Sequence, residues 1–191
     1  DNGTTGSGAP HEFGYSWTDS DDPGGPDYNR YDISAVGTPG PFSSSDDNLS
    51  AVIDMGMTFP YYGNNFTQMK VSTNGWLTFD TSYTYSSSYN YSMPTTSGPE
   101  NLIAMFWDDL HLRDGTAHYY NAGDRFVVQF TNIGQYSPST GESYTFQVQL
   151  FPNGKILLQY QTMSGTDLEG ATIGVEDGTG TIGLEMVYND P

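Results

Sequence analysis

The sequence predicts an all-β fold, an antiparallel β-sandwich of about 10 to 12 strands preceded by an extended N-terminal segment. Three observations lead there. No window of about 12 residues carries apolar side chains at the i, i+3, i+4, i+7 spacing of a helix. Period-2 alternation recurs instead, as in Ser143 to Phe151, where Tyr144, Phe146, Val148 and Leu150 alternate with Thr145, Gln147 and Gln149. Clusters of Gly, Pro, Asn and Asp separate such runs at intervals of about 8 to 15 residues.

Taken in order, Val52 to Phe59, Phe66 to Ser72 and Trp76 to Phe79 read as strands, followed by Leu102 to Trp107 and Ala117 to Asn121. Arg125 to Thr131 sets Phe126, Val128 and Phe130 against Val127, Gln129 and Thr131. With Ser143 to Phe151 it predicts a sheet that has one apolar and one wet face. Asn153-Gly154 between two alternating runs favours a tight hairpin with positive φ, and Lys155 to Gln161 returns with Ile156, Leu158 and Tyr160 on one side. Ala171 to Glu176 and Ile182 to Tyr188 complete the set. No internal repeat and no linker divides residues 31–191, which read as one sandwich domain. Residues 1–30 stand apart: a Gly/Thr/Ser tail from Asp1 to Pro10, an aromatic strand at Phe13-Gly14-Tyr15-Ser16-Trp17-Thr18, and an acidic Pro/Gly loop from Asp19 to Pro26.

Composition sets the functional bounds. The 191 residues carry 23 acidic against 5 basic side chains, a formal net charge of −18. Leu, Ile, Val and Phe together make up about 18% of the chain, a level that with this charge resembles disorder. Fifteen Tyr, 7 Met and 3 Trp supply the missing apolar area, because each large aromatic buries about 150–250 Å². Affinity for a phosphate backbone or an anionic membrane comes from Lys and Arg, so neither nucleic acid nor a membrane surface is an expected partner. The longest apolar run, Leu102 to Trp107, is far below the roughly 20 residues of a membrane helix. Without cysteine there is no disulfide, thiolate metal site or cysteine nucleophile. An acidic, Tyr/Ser/Thr/Gly-rich, Lys-poor chain of this kind points to an extracellular or cell-surface location.

Several segments together carry a family likeness. They are Gly14-Tyr15-Ser16-Trp17-Thr18-Asp19-Ser20, Pro23-Gly24-Gly25-Pro26, Tyr31-Asp32-Ile33-Ser34, Phe59-Pro60-Tyr61-Tyr62-Gly63-Asn64, Val71-Ser72-Thr73-Asn74-Gly75-Trp76-Leu77, Asn101-Leu102-Ile103-Ala104 and Phe106-Trp107-Asp108-Asp109. Tyr144-Thr145-Phe146-Gln147-Val148, Phe151-Pro152-Asn153-Gly154, Gln159-Tyr160 and Ile173-Gly174-Val175-Glu176 continue it. Over about residues 13–188 the chain resembles the nidogen-domain-like β-sandwich module appended to secreted bacterial proteases and surface proteins. The resemblance implies a non-catalytic extracellular module and transfers no catalytic residue.

The residues themselves agree that the chain is not an enzyme. His11, His111 and His118 form no His-Glu-x-x-His pattern, and there is no Gly-x-Ser-x-Gly elbow or phosphate loop. Asp108 and Asp109, as neighbours on a strand, face opposite ways and cannot flank one bond as an acid/base pair. Calcium is the expected small ligand, at Asp19, Asp21, Asp22 and Asp27, where carboxylates and loop carbonyls offer hard oxygen donors. A solvated acidic loop is the alternative, and Asp108, Asp109 and Asp114 form a lesser cluster. Tyr83, Tyr85, Tyr89 and Tyr91, among serines between residues 81 and 98, read either as a polysaccharide-stacking platform or as an adaptable surface loop. Sequons at Asn2, Asn48, Asn65 and Asn90 allow glycosylation at about the frequency chance would give.

The aromatic strand gives the sharpest expectation. Phe13, Tyr15 and Trp17 behind a flexible tail suit addition to an exposed sheet edge. If that edge belongs to a second copy, contacts run head to tail and build a homo-polymeric filament; if it is the chain's own, the strand completes its own domain. The expected function is thus a structural or adhesive subunit contacting itself or other surface proteins. The alternative is a carbohydrate-binding or adhesion accessory module of a secreted hydrolase.

Overall fold

This computed structural model describes residues 7–8, 13–113, 115–137, 141–165 and 168–190. Two antiparallel sheets face each other across an aromatic core, and among the described residues there is no helix, hence none long and apolar enough to cross a membrane. The strands in chain order are β1 (Ser7–Gly8), β2 (Trp17–Thr18), β3 (Thr38–Pro39), β4 (Ile53–Tyr61), β5 (Asn64–Val71), β6 (Trp76–Thr78) and β7 (Leu102–Trp107). They continue as β8 (Leu110–His111), β9 (Thr116–Asn121), β10 (Phe126–Gln135), β11 (Ser143–Leu150), β12 (Ile156–Ser164), β13 (Thr172–Glu176) and β14 (Gly183–Tyr188). One sheet has the order β12-β11-β10-β9-β3, with β8 pairing β10, and the other β14-β13-β7-β6-β5-β4. A separate two-stranded ladder joins β1 to β2.

The alternation read from β10 and β11 supplies one half of the core. Phe126, Val128, Phe130, Tyr144, Phe146, Val148 and Leu150 are all buried against Ile53, Met55, Phe59, Met69, Ile103 and Met105 of the opposite sheet. Rings do much of the filling, as in the stacked pair Phe130–Phe146 at 5.0 Å between centroids. The Phe151-to-Lys155 connection is a three-residue hairpin loop in which only Gly154 takes positive φ, at 86°, while its N–H donates to the Phe151 carbonyl at 2.9 Å. The two-residue turn with both central residues at positive φ lies elsewhere, at Tyr62 (45°) and Gly63 (77°) between the paired Tyr61 and Asn64.

The expected wet face is dry. Gln129, Gln147 and Gln149 are fully buried, and Gln129, Gln147 and Gln159 stand side by side across β10, β11 and β12. Residues 29–33 run across them as a strap. The Asn29 N–H donates to Gln159 Oε1 at 2.6 Å, Gln149 Nε2 donates to the Asn29 carbonyl at 3.0 Å, and the Tyr31 N–H and carbonyl both meet the Gln147 amide, at 3.0 and 3.1 Å. The Ile33 N–H reaches Gln129 Oε1 at 3.2 Å, and the Ile33 side chain is completely buried. A glutamine amide offers both donors and an acceptor, so a row of them can satisfy the main chain of a segment that never joins the ladder.

The other sheet is covered too. Its outer face carries Trp76, Leu102, Ala104 and Trp107, and the 81–98 loop folds over them with buried Met93. Both indole N–H groups donate to one carbonyl, that of Ser87, at 3.0 and 2.9 Å. Both outer faces are therefore roofed by irregular chain held through side-chain hydrogen bonds.

Candidate functional site

The aromatic arm, residues 13–18, forms strand only at Trp17–Thr18, and its partner there is β1, outside the two large sheets. Its rings meet the hairpin between β4 and β5. Tyr15 lies 4.8 Å from Tyr62 and 5.9 Å from Tyr61, and Phe13 lies edge-on to Tyr62 at 5.5 Å. Positive φ is costly for a tyrosine. Here it turns the Tyr62 ring toward the arm and the core, where it also contacts Tyr61 at 4.8 Å. Burial pushes the hydroxyls of Tyr61, Tyr62 and Tyr15 above their ordinary range. Phe13 stays half exposed, at 49%.

Behind this cluster sits an acid that the sequence reading did not single out. Glu176 at the end of β13 is fully buried; its N–H donates to the Tyr61 hydroxyl at 3.0 Å, and that hydroxyl donates to the Leu102 carbonyl. Its Oε2 accepts the Thr95 N–H from the covering loop, and its Oε1 has no partner among the described residues. Burial, with Asp177 and Glu100 nearby, pushes its carboxyl up to about 7. The clue in the sequence was a charge closing a strand otherwise fit for the core.

The acidic Pro/Gly loop uses its own carboxylates. Asp19 Oδ1 accepts the N–H groups of Asp21 and Asp22, at 2.9 and 3.0 Å, and Asp22 Oδ2 accepts the Thr18 hydroxyl at 3.0 Å. Asp21 and Asp27 are exposed. Among the described residues, three carboxylates come within 4.8 Å of one another at a different place, formed by Asp46, Asp47 and Asp109. An isolated bridge between Asp46 and His111 brings these distant segments together. The buried Asn74 fixes the spot by donating to Asp47 Oδ1 at 2.9 Å and accepting the Leu110 N–H at 3.0 Å. Burial and then repulsion from Asp47, Asp46 and Asp108 raise the Asp109 carboxyl. Asp108 and Asp109 lie in the link between β7 and β8, not on a strand, and separate: Asp108 Oδ2 accepts from Gln135 Nε2. Asp114 and His11 fall outside the described residues.

The tyrosines of the 81–98 loop divide into two pairs. Tyr83 and Tyr91 stand edge-on to Trp76 and Trp107, at 6.1 and 5.8 Å, as part of the cover. Tyr85 and Tyr89 remain 64% and 78% exposed. The sequons differ likewise. Asn90 Nδ2 donates to the Gly170 carbonyl, Thr172 Oγ1 and Asn189 Oδ1, and Asn48 is bonded to Ser43 through both ends of its amide. Asn65 is exposed on β5, and Asn2 falls outside the described residues.

A family model described as NIDO related matches residues 27–191. The chain belongs to the nidogen-related family. That family is a non-catalytic module type, and the sandwich fits it. No solved structure matches the chain. The nidogen-related match opens at Asp27, two residues before the strap, so the strap lies within the family region and the arm and acidic loop precede it.

Proposed function

We propose that this nidogen-related domain is an extracellular, non-enzymatic structural subunit whose copies associate head to tail through the arm, residues 13–18. The observation that supports this reading is the arm's placement: it lies outside both large sheets, is seated on the Tyr61–Tyr62 hairpin by ring contacts and a hydrogen bond between the Tyr15 hydroxyl and the Tyr62 main chain, and is followed by the acidic Pro/Gly loop. A segment seated this way can leave its own domain for a neighbour at low cost, and a head-to-tail contact that does not close propagates as a filament. Calcium has its place in the same reading at Asp46, Asp47 and Asp109, where three hard oxygen donors already converge.

Deleting residues 1–18 tests the reading. The shortened protein is expected to keep its circular dichroism spectrum and a cooperative melt, because the strap and both sheets remain. It is expected to sediment as a monomer at concentrations where the full chain gives filaments by negative-stain electron microscopy. Filaments from the shortened protein, or a full chain that stays monomeric at every concentration, would sink the proposal.

A further inference from the structure

We infer that the free edge of β12 receives the arm of a second copy as an added strand. This inference rests on the head-to-tail reading and names the surface it needs. The two sheets end in four strands: β12 and β3 in one, β14 and β4 in the other. Natural edges are kept from pairing by shortness, Pro, charge or bulges. Strand β3 is two residues long and ends in Pro39. Strand β4 carries Asp54 and Pro60, and its register with β5 breaks between Asp54 and Phe59, around Gly56 at φ 62°. Strand β14 carries Glu185 in its six residues. Strand β12, Ile156–Ser164, runs nine residues with no Pro, Gly or charge, in a chain whose net charge is −18, and its single bulge, at Gln161, leaves Ile156–Tyr160 in unbroken register with β11. Among the described residues no main-chain hydrogen bond from outside the sheet reaches it.

The arm fits that edge in length and character. Phe13 to Thr18 is six residues without a charge, and Trp17–Thr18 already adopts strand geometry. Main-chain hydrogen bonds along an edge are indifferent to side chains, so specificity comes from what alternate residues meet. On β12, Ile156, Leu158, Tyr160 and Met163 pack on the core, whereas Leu157 is partly buried and outside it. Leu157 therefore offers an apolar contact on the outer face to one of the arm's alternating rings. Acidic groups elsewhere repel a second copy, and this edge is where two chains of the same sign approach with least opposition.

The absence of cysteine makes the test direct. Phe13→Cys, which keeps Tyr15 and Trp17 and lies on the ring face of the arm that meets the outer face of β12, is combined in turn with Gln161→Cys, Thr162→Cys and Ser164→Cys, all on the exposed part of β12, and the full chain is oxidised under assembling conditions. Cross-strand cysteines join only within about 7 Å between Cα atoms. The expected result is a ladder of covalent oligomers on non-reducing gels in at least one pairing, absent from each single variant. Arm-dependent assembly without a cross-link in any pairing overturns the β12 acceptor and leaves the head-to-tail reading standing. Dimers from a β12 cysteine alone show edges pairing with each other and also overturn it. Assembly that survives deletion of residues 1–18 overturns both.

Discussion

Glu176 places a titratable group at the join between the core, the covering loop and the hairpin that seats the arm. Its carboxyl is raised from its ordinary value to about 7, so the folded state favours the protonated form. The stabilising contribution is therefore full below the unfolded value near 4.5 and is lost as pH rises to about 7. At 1.36 kcal/mol per pH unit the interval amounts to about 3 kcal/mol. Glu176→Gln is expected to flatten unfolding free energy across this window and to be the more stable protein at pH 8, with little difference at pH 4. Parallel denaturation curves at the two pH values would contradict this. The local pattern offers no more than a charge at the end of a core-like strand, because the groups that bury it come from Thr95 and Tyr61, far away in sequence. Gly75 is the opposite case. Asn-Gly marks a turn from sequence alone, and at φ 75° an added Cβ would sit 2.0 Å from the Phe106 carbonyl oxygen.

At the scale of elements, period-2 alternation located the long strands to within a few residues, since burial of one face is a local signal. It misjudged the other face. Gln129, Gln147 and Gln149 look like solvent-facing residues because alternation reports polarity, while the strap that buries them comes from residues 29–33. The two-residue strands β3 and β8 also escaped notice, having no length over which a period can repeat. The strap predicts a cost. Gln147→Ala strands the Tyr31 N–H and carbonyl and removes the Gln147 partners of Gln129 and Gln149. Loss of buried hydrogen-bond partners costs about 1–3 kcal/mol each. We expect a drop of at least about 2 kcal/mol by urea titration, with faster amide exchange at residues 29–33. A loss below about 0.5 kcal/mol would mean that water replaces the amide without penalty.

For the whole molecule, charge is the dominant variable. Only five cations oppose 23 acids, and two of them, Arg30 and Arg125, form ion pairs with the nearby Asp32 and Asp124. Self-repulsion of that size makes both folding and association sensitive to ionic strength. Calcium is expected to raise the melting temperature beyond what sodium chloride achieves at equal ionic strength, because binding to the folded state adds to screening. Asp109→Asn is expected to abolish the excess, and without calcium to melt slightly higher than the parent at neutral pH, since it removes an acid that burial and neighbouring aspartates disfavour. An equal response to both salts would exclude a specific ion there. The sequence carried the acidity plainly but not the meeting of Asp46 with Asp109, which depends on the bridge to His111.

The strap also fixes the order in which a mechanical load is felt. It crosses the strands, meeting Gln159 on β12, Gln149 and Gln147 on β11 and Gln129 on β10 in succession. Tension applied through the arm thus reaches Asn29 first, Tyr31 next and Ile33 last, so the attachments peel singly instead of shearing together. In a string of copies joined by their arms, each domain would lengthen by releasing this tether while the sandwich behind it stayed closed.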